Sequence, residues 1–373
     1  MKTVKNLIRL ALLALSAAAA SCTGAKGPDV PFYVWQTVGE NFSADSLKAD
    51  FERYKVHGCT GVCISAGLDT VRIARCAGIA RECGLEYHAW ITAMLHDGMP
   101  HDWYAVNRLG ESADEHPAYV DRYKALDPNK PEVAAWLADI CRQVAAIPEV
   151  DFVQLDYIRY PDVILARGLW DKYGLTMDEE YPAADYCYCD ACVAQFRAEY
   201  GIDIRSVEDP AKVAEWARFR CDVITQLVDT CAQVVHDAGK KISADVFPGP
   251  YSNAVWMVRQ QWDQWNIDIA FPMNYNDFYL EDPSWVGKVA KEEVEKAEGR
   301  MKVVSGLFIC PDWRKKAQVE DPEYAGLLPS EMEEAVRGSL EAGADGICLF
   351  TPERMSAEHW EALDKALRAW KKH

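Results

Sequence analysis

A regular alternation of short apolar runs and amphipathic helical stretches constrains the fold of this chain more than any other feature. Eight runs with strand character follow one another, and each is followed by a stretch with helical periodicity. The predicted strands are Phe32–Gln36, Gly61–Ser65, Leu85–Ala93, Val150–Tyr157, Lys241–Phe247, Ile267–Tyr275, Lys302–Phe308 and Gly346–Phe350. We therefore expect an α/β fold in which strands and helices alternate along the chain.

The number of repeats decides between the two folds that such an alternation allows. One is an open, doubly wound sheet, and the other is a closed (β/α)8 barrel. Eight strand–helix pairs without a glycine-rich dinucleotide fingerprint favour a single (β/α)8 TIM barrel over residues 31–373. Two long segments are predicted to be insertions, His96–Lys130 after strand three and Ile158–Asp209 after strand four.

The first 21 residues have the composition of a targeting segment. After a basic start, Leu7–Ala20 is almost wholly apolar, but it is too short for a good membrane span. Small residues lead into Cys22 as in a bacterial lipobox, although Ala19 stands where leucine is usual. We expect a lipoprotein-type signal peptide over residues 1–21, lipidation of Cys22 and a tether over residues 22–30; the alternative is ordinary cleavage with Cys22 incidental. The chain would then be exported and held at a bacterial membrane, in the periplasm or at the cell surface, only through the lipid.

Charge and aromatic content limit the class of partner. The 58 acidic side chains exceed the 40 basic ones, which gives a net charge of −18 without any basic stripe. Nucleic acid is therefore not an expected partner, because its phosphates require such a stripe. The 13 Trp, 17 Tyr and 11 Phe would mostly be core residues, but they are also the residues from which sugar-binding clefts are built.

Two carboxylates end neighbouring strands of the predicted barrel, where the active site of such a fold lies. Asp156 ends strand four and Asp245 lies near the end of strand five. Hydrolysis of a glycosidic bond needs two carboxyl groups, and crowding them raises the pKa of one. We predict that Asp156, beside Arg159, stays ionised as nucleophile or charge stabiliser and that Asp245 donates the proton. The alternative is that one of them caps a helix or pairs with Arg159 structurally.

Other polar and aromatic side chains at the strand ends are candidates for contacting a sugar. Some of them also have a structural alternative. The tryptophans could pack in the core, and His88 could be a buried barrel histidine whose hydrogen bonds are made within the protein. Arg159 could keep Asp156 ionised instead of binding a carboxylate of the substrate. The predicted substrate-binding residues are Trp35, His88, Trp90, Tyr157, Arg159, Asn274 and Tyr275.

Four motifs resemble the glycosyl-hydrolase-like family 10 group of bacterial glycosidase-like proteins. These are the strand-four run Val153–Pro161, its lead-in Leu126–Val133, the strand-three run Tyr87–Ile91, and Gly343–Gly346 before strand eight. The resemblance implies a (β/α)8 fold, action on a polysaccharide such as bacterial cell-wall glycan, and a central role for Asp156. Some relatives carry two consecutive acids at strand four, where Tyr157 takes the second place here, and no glutamate ends strand seven.

Three clustered cysteines lie in the second insertion. The spacing of Cys187, Cys189 and Cys192 can present three thiolates to a structural zinc ion at the start of a helix. The sequence does not identify a fourth ligand. The alternatives are a disulfide or three unlinked thiols. Such a zinc ion would fix the loop and take no part in the chemistry.

Three functions follow from these features. The first is an exported glycoside hydrolase that uses strand-end carboxylates and needs no catalytic cofactor. The second is a non-catalytic carbohydrate-binding lipoprotein on the same barrel, which the missing second acid at strand four keeps open. A metal-dependent hydrolase ranks last, because only His88 is well placed as a ligand and no His-x-His pair occurs.

Overall fold

The predicted barrel is confirmed by a computed structural model of the protein, which describes residues 30–312, 316 and 321–370. Eight parallel strands form a closed barrel in chain order, and the last strand pairs with the first. The strands are β1 (Phe32–Thr37), β2 (Gly61–Ser65), β3 (Glu86–Thr92), β4 (Phe152–Asp156), β5 (Lys241–Val246), β6 (Ile269–Pro272), β7 (Lys302–Phe308) and β8 (Gly346–Phe350).

Each strand is followed along the chain by at least one α-helix, and the longer helices bury one face each. In Pro131–Ala145, for example, Val133, Leu137, Cys141 and Val144 are buried, a spacing that keeps one stripe toward the barrel. The α-helices are α1 (Ala44–Val56), α2 (Thr70–Glu82), α3 (Pro131–Ala145), α4 (Trp170–Tyr173), α5 (Asp190–Tyr200), α6 (Ala214–Asp237), α7 (Val255–Val258), α8 (Ser284–Ala297), α9 (Pro329–Glu341) and α10 (Ala357–Trp370).

The connection between β5 and β6 departs from the sequence pattern. The spacing of Val255, Val258, Trp262 and Trp265 predicts one helix, but α7 ends at Val258. Arg259 adopts a left-handed backbone with φ of 61° and is almost fully buried. Its guanidinium donates to Glu180 in the second insertion, at 2.5 Å. The turn at Arg259 thus directs a buried cation toward a carboxylate, and this contact outweighs the helical periodicity.

Side chains fill the barrel interior, as they do in this fold generally. The apolar members of this packed interior are Tyr33, Trp35, Cys63, Phe152, Ile269, Phe271, Val304 and Cys348. Polar side chains from β3, β4 and β5 lie among them, namely His88, Gln154, Ser243 and Asp245, and all are buried. The interior is therefore filled by side chains below the C-terminal ends of the strands.

The two predicted insertions are present and contact each other. An isolated antiparallel bridge joins Asn107 to Tyr186, and the Tyr188 backbone N–H donates to Val106 at 2.7 Å. The Tyr119 hydroxyl donates to the Asp162 carbonyl at 2.5 Å. Together the insertions form one wall beside the C-terminal ends of the strands.

The predicted signal peptide (1–21), the lipidation site Cys22 and all of the tether except Val30 lie outside the described residues. Within the described ranges, no helix combines the length and the apolar character needed to cross a bilayer.

Candidate active site

A cavity of about 480 Å³ lies at the C-terminal ends of the strands, within the size range of small-ligand sites. Residues in the strands, or just after β6 in the case of Tyr275, form its floor: Trp35, Trp90, Asp156, Asp245, Tyr275, Phe308 and Phe350. Tyr157, directly after β4, and the two insertions supply much of the wall, with Tyr119, Arg122, Tyr123, Arg159, Leu165 and Tyr173 from the insertions. The lining is therefore mainly aromatic, with two carboxylates at its base.

Asp156 ends β4 and is 8% exposed. Its Oδ2 accepts a hydrogen bond from Trp90 Nε1 at 3.0 Å, and its Oδ1 accepts one from the Tyr157 backbone N–H at 2.7 Å. Tyr157 has φ of 52°, a left-handed conformation that is uncommon for a residue with a Cβ and that occurs often at functional sites. Burial raises the pKa of Asp156 to about 6, against the opposing effects of these two donors and of Arg159.

Asp245 lies deeper and is 2% exposed. Its Oδ1 accepts from Trp35 Nε1 at 3.1 Å and from Gln154 Nε2 at 2.5 Å. Its buried Oδ2 has no hydrogen-bond partner among the described residues. Burial, and then the charge of Asp156, hold the pKa of Asp245 well above its ordinary value.

The strand register brings the two carboxylates together. Leu155 on β4 pairs with Ala244 on β5, so the next residues, Asp156 and Asp245, lie at the same level on neighbouring strands. Neighbouring strands are about 4.8 Å apart. The site thus holds two interacting carboxyl groups with different proton affinities, of which Asp245 keeps its proton to higher pH.

Arg159 pairs with a different carboxylate from the one that the sequence suggests. Its Nη1 lies 2.7 Å from Asp162 Oδ2, and its Nη2 donates to the Tyr123 hydroxyl at 2.8 Å. The guanidinium carbon also lies 5.0 Å from the centre of the Tyr157 ring. The structural alternative in which Asp156 is the ion-pair partner of Arg159 therefore does not describe this geometry. Arg159 acts on Asp156 only at longer range, and burial outweighs its effect on the Asp156 pKa.

The predicted aromatic residues all line the cavity. Trp35 and Trp90 each direct an indole N–H to one of the two carboxylates, so they position the acids as well as forming the floor. Tyr275 stacks on Phe350 with ring centres 6.0 Å apart. Burial, and then the charge of Asp245, raise the pKa of Tyr275, which keeps its hydroxyl protonated as a hydrogen-bond donor.

His88 and Asn274 do not line this cavity. His88 is fully buried in the barrel, with Nδ1 3.0 Å from Ser243 Oγ and Nε2 3.2 Å from Glu86 Oε1. This position matches the structural alternative of a satisfied barrel histidine. Asn274 Nδ2 donates at 3.0 Å both to Glu293 on α8 and to Ser305 on β7. The structure thus brings five of the seven predicted sugar-contacting residues together with the two carboxylates.

The cavity also contains residues that the sequence did not identify. Tyr119, Arg122 and Tyr123 come from the first insertion, and Phe308 and Phe350 come from the ends of β7 and β8. The sequence feature that could have indicated the insertion residues is the presence of aromatic side chains within otherwise polar insertions. Their position on the cavity wall, however, depends on contacts between the two insertions.

The three clustered cysteines lie apart from the cavity, and their sulfur atoms converge on Asp127 of the first insertion. One ligand atom from each of Asp127, Cys187, Cys189 and Cys192 lies within 4.8 Å of the other three. Asp127 belongs to one of the motifs of the family resemblance, but nothing in the sequence identified it as a partner of the cysteines.

No family model matches the chain, and no curated protein matches it in sequence. The resemblance to the glycosyl-hydrolase-like family 10 group therefore stays a prediction. Solved structures do match over most of the chain. The glycoside hydrolase domain of PgaB (BpsB) from Bordetella bronchiseptica has a TM-score of 0.63 at 13% identity and covers 91% of this chain and 99% of its own.

Two further solved structures have the same overall fold. The catalytic domain of beta-amylase from Paenibacillus polymyxa has a TM-score of 0.58 at 11% identity, covering 94% of this chain and all of its own. An endo-beta-1,4-mannanase from Thermotoga petrophila has a TM-score of 0.53 at 9% identity, covering 93% and 78%. At these identities the likeness concerns the fold alone, so the chain is similar to these proteins as a (β/α)8 barrel.

Proposed function

We propose that this protein is a glycoside hydrolase that acts on a polysaccharide and uses Asp156 and Asp245 as its working carboxylates. The observation that carries the proposal is the pairing of two buried carboxyl groups at one level of neighbouring strands, at the base of an aromatic cavity. A carboxyl pair with separated pKa values is what cleavage of a glycosidic bond requires.

The different environments of the two carboxyl groups support a separate role for each in this proposal. Asp245 is the proton donor, because burial and the neighbouring charge keep it protonated, and its unpaired Oδ2 is free to hold the transferable proton. Asp156 loses its proton at lower pH than Asp245, and hydrogen bonds from Trp90 and from the Tyr157 N–H stabilise its carboxylate. It therefore serves as the nucleophile, or as the base that activates water. Catalysis on this basis needs no cofactor.

Two further observations support a polysaccharide as the substrate. The cavity wall offers several aromatic rings for packing against sugar faces, together with the Arg159 and Arg122 guanidinium groups for polar contacts. The solved structures with the same barrel include proteins named as a beta-amylase, a glycoside hydrolase domain and an endo-mannanase. With the predicted export and lipid anchor, we propose a bacterial cell-wall glycan as the substrate class.

A screen of the purified protein on bacterial glycans and common polysaccharides tests this function. We expect new reducing ends with at least one glycan from wild-type protein and none from Asp156→Asn or Asp245→Asn. Saturable binding of a glycan by all three proteins, with no product from any of them, would overturn the proposal and favour the non-catalytic carbohydrate-binding lipoprotein.

A further inference from the structure

Four ligating side chains from the two insertions converge on one point. Asp127 comes from the first insertion, whereas Cys187, Cys189 and Cys192 come from the second, around the start of α5. One ligand atom of each lies within 4.8 Å of the others. Asp127 is 0% exposed, and Cys187 and Cys192 are 1% exposed, so the site is shielded from solvent.

We propose that Asp127, Cys187, Cys189 and Cys192 together bind one structural zinc ion. Zinc in structural sites takes four ligands in a tetrahedron, with bonds of about 2.3 Å to sulfur and about 2.0–2.2 Å to oxygen, which puts the ligand atoms roughly 3.5–3.8 Å apart. The Sγ of Cys192 lies 3.6 Å from both carboxylate oxygens of Asp127, and the Sγ of Cys189 lies 3.0 Å from Oδ2. The four groups therefore need only small shifts to surround an ion.

The surroundings of the sulfur atoms match those of metal-bound thiolates. Backbone N–H groups of Val106 and Cys189 each donate to Cys187 Sγ at 3.4 Å, and the Cys192 N–H donates to Cys189 Sγ at the same distance. The Asn129 backbone N–H donates to Asp127 Oδ1 at 3.0 Å. Such donors stabilise the anionic ligands and fix their orientation.

A metal explains this cluster better than a disulfide does. A disulfide would use two of the three thiols and leave Asp127 buried beside the third. Asp127 accepts hydrogen bonds from the Asn129 N–H and from two of the thiols, but it has no cationic partner among the described residues, and a buried carboxylate without a counter-charge is costly. A dication with three thiolates and one carboxylate uses every member of the cluster, and soft thiolate ligands in a tetrahedral arrangement favour zinc.

The proposed ion would connect the two insertions that form the cavity wall. The first insertion supplies Tyr119 and Tyr123 to the cavity, and the second supplies Leu165 and Tyr173. None of the four ligands is among the cavity-lining residues. The ion therefore holds the wall in place and takes no part in bond cleavage.

Metal analysis of single-residue variants tests the site. We expect near-stoichiometric zinc in the wild-type protein, and an affinity reduced by more than about tenfold in Cys189→Ser and Asp127→Asn. Cys83→Ser is the matched control, because Cys83 is a partly buried thiol that lies outside the cluster. Cobalt exchanged into the wild-type and control proteins should give a thiolate-to-cobalt charge-transfer band, which Cys189→Ser should weaken.

Chelation of the folded wild-type protein tests the site without any mutation. Removing zinc should lower the thermal midpoint and open residues 96–130 and 158–209 to limited proteolysis, and added zinc should restore both. The proposal is overturned if zinc content in Cys189→Ser equals that of the wild type, or if mass spectrometry of the native protein finds a disulfide between two of the three cysteines. It is overturned equally if the zinc-free protein keeps its midpoint and its protease resistance.

Discussion

At the scale of single residues, the site depends on how two carboxylates are buried. Trp90 and Trp35 each donate an indole N–H to one acid, but these donors do not offset the loss of water, so both pKa values are raised. The folded protein therefore holds these protons more tightly than the unfolded chain does. The contribution of Asp156 to the free energy of unfolding is present at low pH and is lost as the pH rises through its folded pKa of about 6.

The first prediction concerns the pH dependence of turnover. The proposed mechanism requires Asp156 to be ionised and Asp245 to be protonated, so kcat/KM should follow a bell-shaped curve whose acidic limb lies near the Asp156 pKa of about 6. The alkaline limb should lie higher, because the Asp245 pKa is raised further by the Asp156 charge. An acidic limb near the ordinary carboxyl pKa of about 4 would contradict this environment for Asp156.

The second prediction concerns Trp90 as a positioning residue. Trp90→Phe keeps the ring and removes the donor to Asp156, so the ionised form of Asp156 loses a stabilising hydrogen bond. The acidic limb of the kcat/KM profile should move to higher pH, with a decrease of roughly tenfold at pH 6. Trp136→Phe, on α3 away from the cavity lining, is the control and should leave the limb in place. An unmoved limb in Trp90→Phe would show that this hydrogen bond does not set the Asp156 pKa.

At the scale of elements, the strand register decides which predicted residues meet. Alternation along a strand gives the face of a residue, but its height in the barrel depends on pairing with neighbours. His88 and Trp90 share a face of β3, yet His88 pairs with Phe152 and Trp90 with Gln154, one layer nearer the cavity. The sequence could predict that both point inward, and only the register shows that His88 lies below the site.

Asn274 illustrates a different limit of prediction from sequence. It follows β6, where Ile269 and Phe271 point into the barrel, and the same alternation carries Met273 and Tyr275 to the cavity. Asn274 then belongs to the opposite face, toward Glu293 on α8. The alternation of side chains along β6 could therefore have excluded Asn274 from the predicted sugar-contacting residues. The convergence of Asp127 with three cysteines of another insertion could not be predicted in this way, because it depends on long-range packing that no local pattern encodes.

The third prediction follows from the register of β4 and β5. Because neighbouring strands lie about 4.8 Å apart, we expect carboxyl groups at one level of β4 and β5 to have a separation near the roughly 5 Å of retaining glycosidases. We expect the first-formed product to keep the anomeric configuration of the substrate, as read by NMR early in the reaction. Inversion would mean that the reacting oxygens stand further apart, with a water molecule between one carboxylate and the sugar.

At the scale of the whole molecule, the barrel and the predicted anchor occupy separate parts of the chain. The eight strands and the single barrel were predictable because each strand–helix unit carries its own periodicity and turn residues. The wall of the cavity was not predictable from the sequence, because it forms where two irregular insertions contact each other. The net charge of −18 adds a constraint on partners, since it disfavours polyanions.

The fourth prediction concerns the location of the protein. Lipidation of Cys22 should place the full-length protein in the membrane fraction, and Cys22→Ala should release it in soluble form, because a lipid would be its only membrane contact. Cys59→Ala, at a buried position just before β2, tests whether loss of any cysteine has this effect and should leave the protein in the membrane fraction. Retention of Cys22→Ala in that fraction would refute lipidation.

Turnover by Asp156→Asn, on a substrate found in the glycan screen, tests the catalytic assignment most directly. The substitution keeps the shape and removes the charge, so the fold should persist and the thermal midpoint at pH 7 should not fall. Substrate binding should remain, while kcat decreases by about 10²- to 10⁴-fold or more. Asp229→Asn, an exposed position on α6, should match the wild type. Turnover by Asp156→Asn close to the wild-type rate would contradict the assignment and leave Asp156 as a structural partner of Trp90.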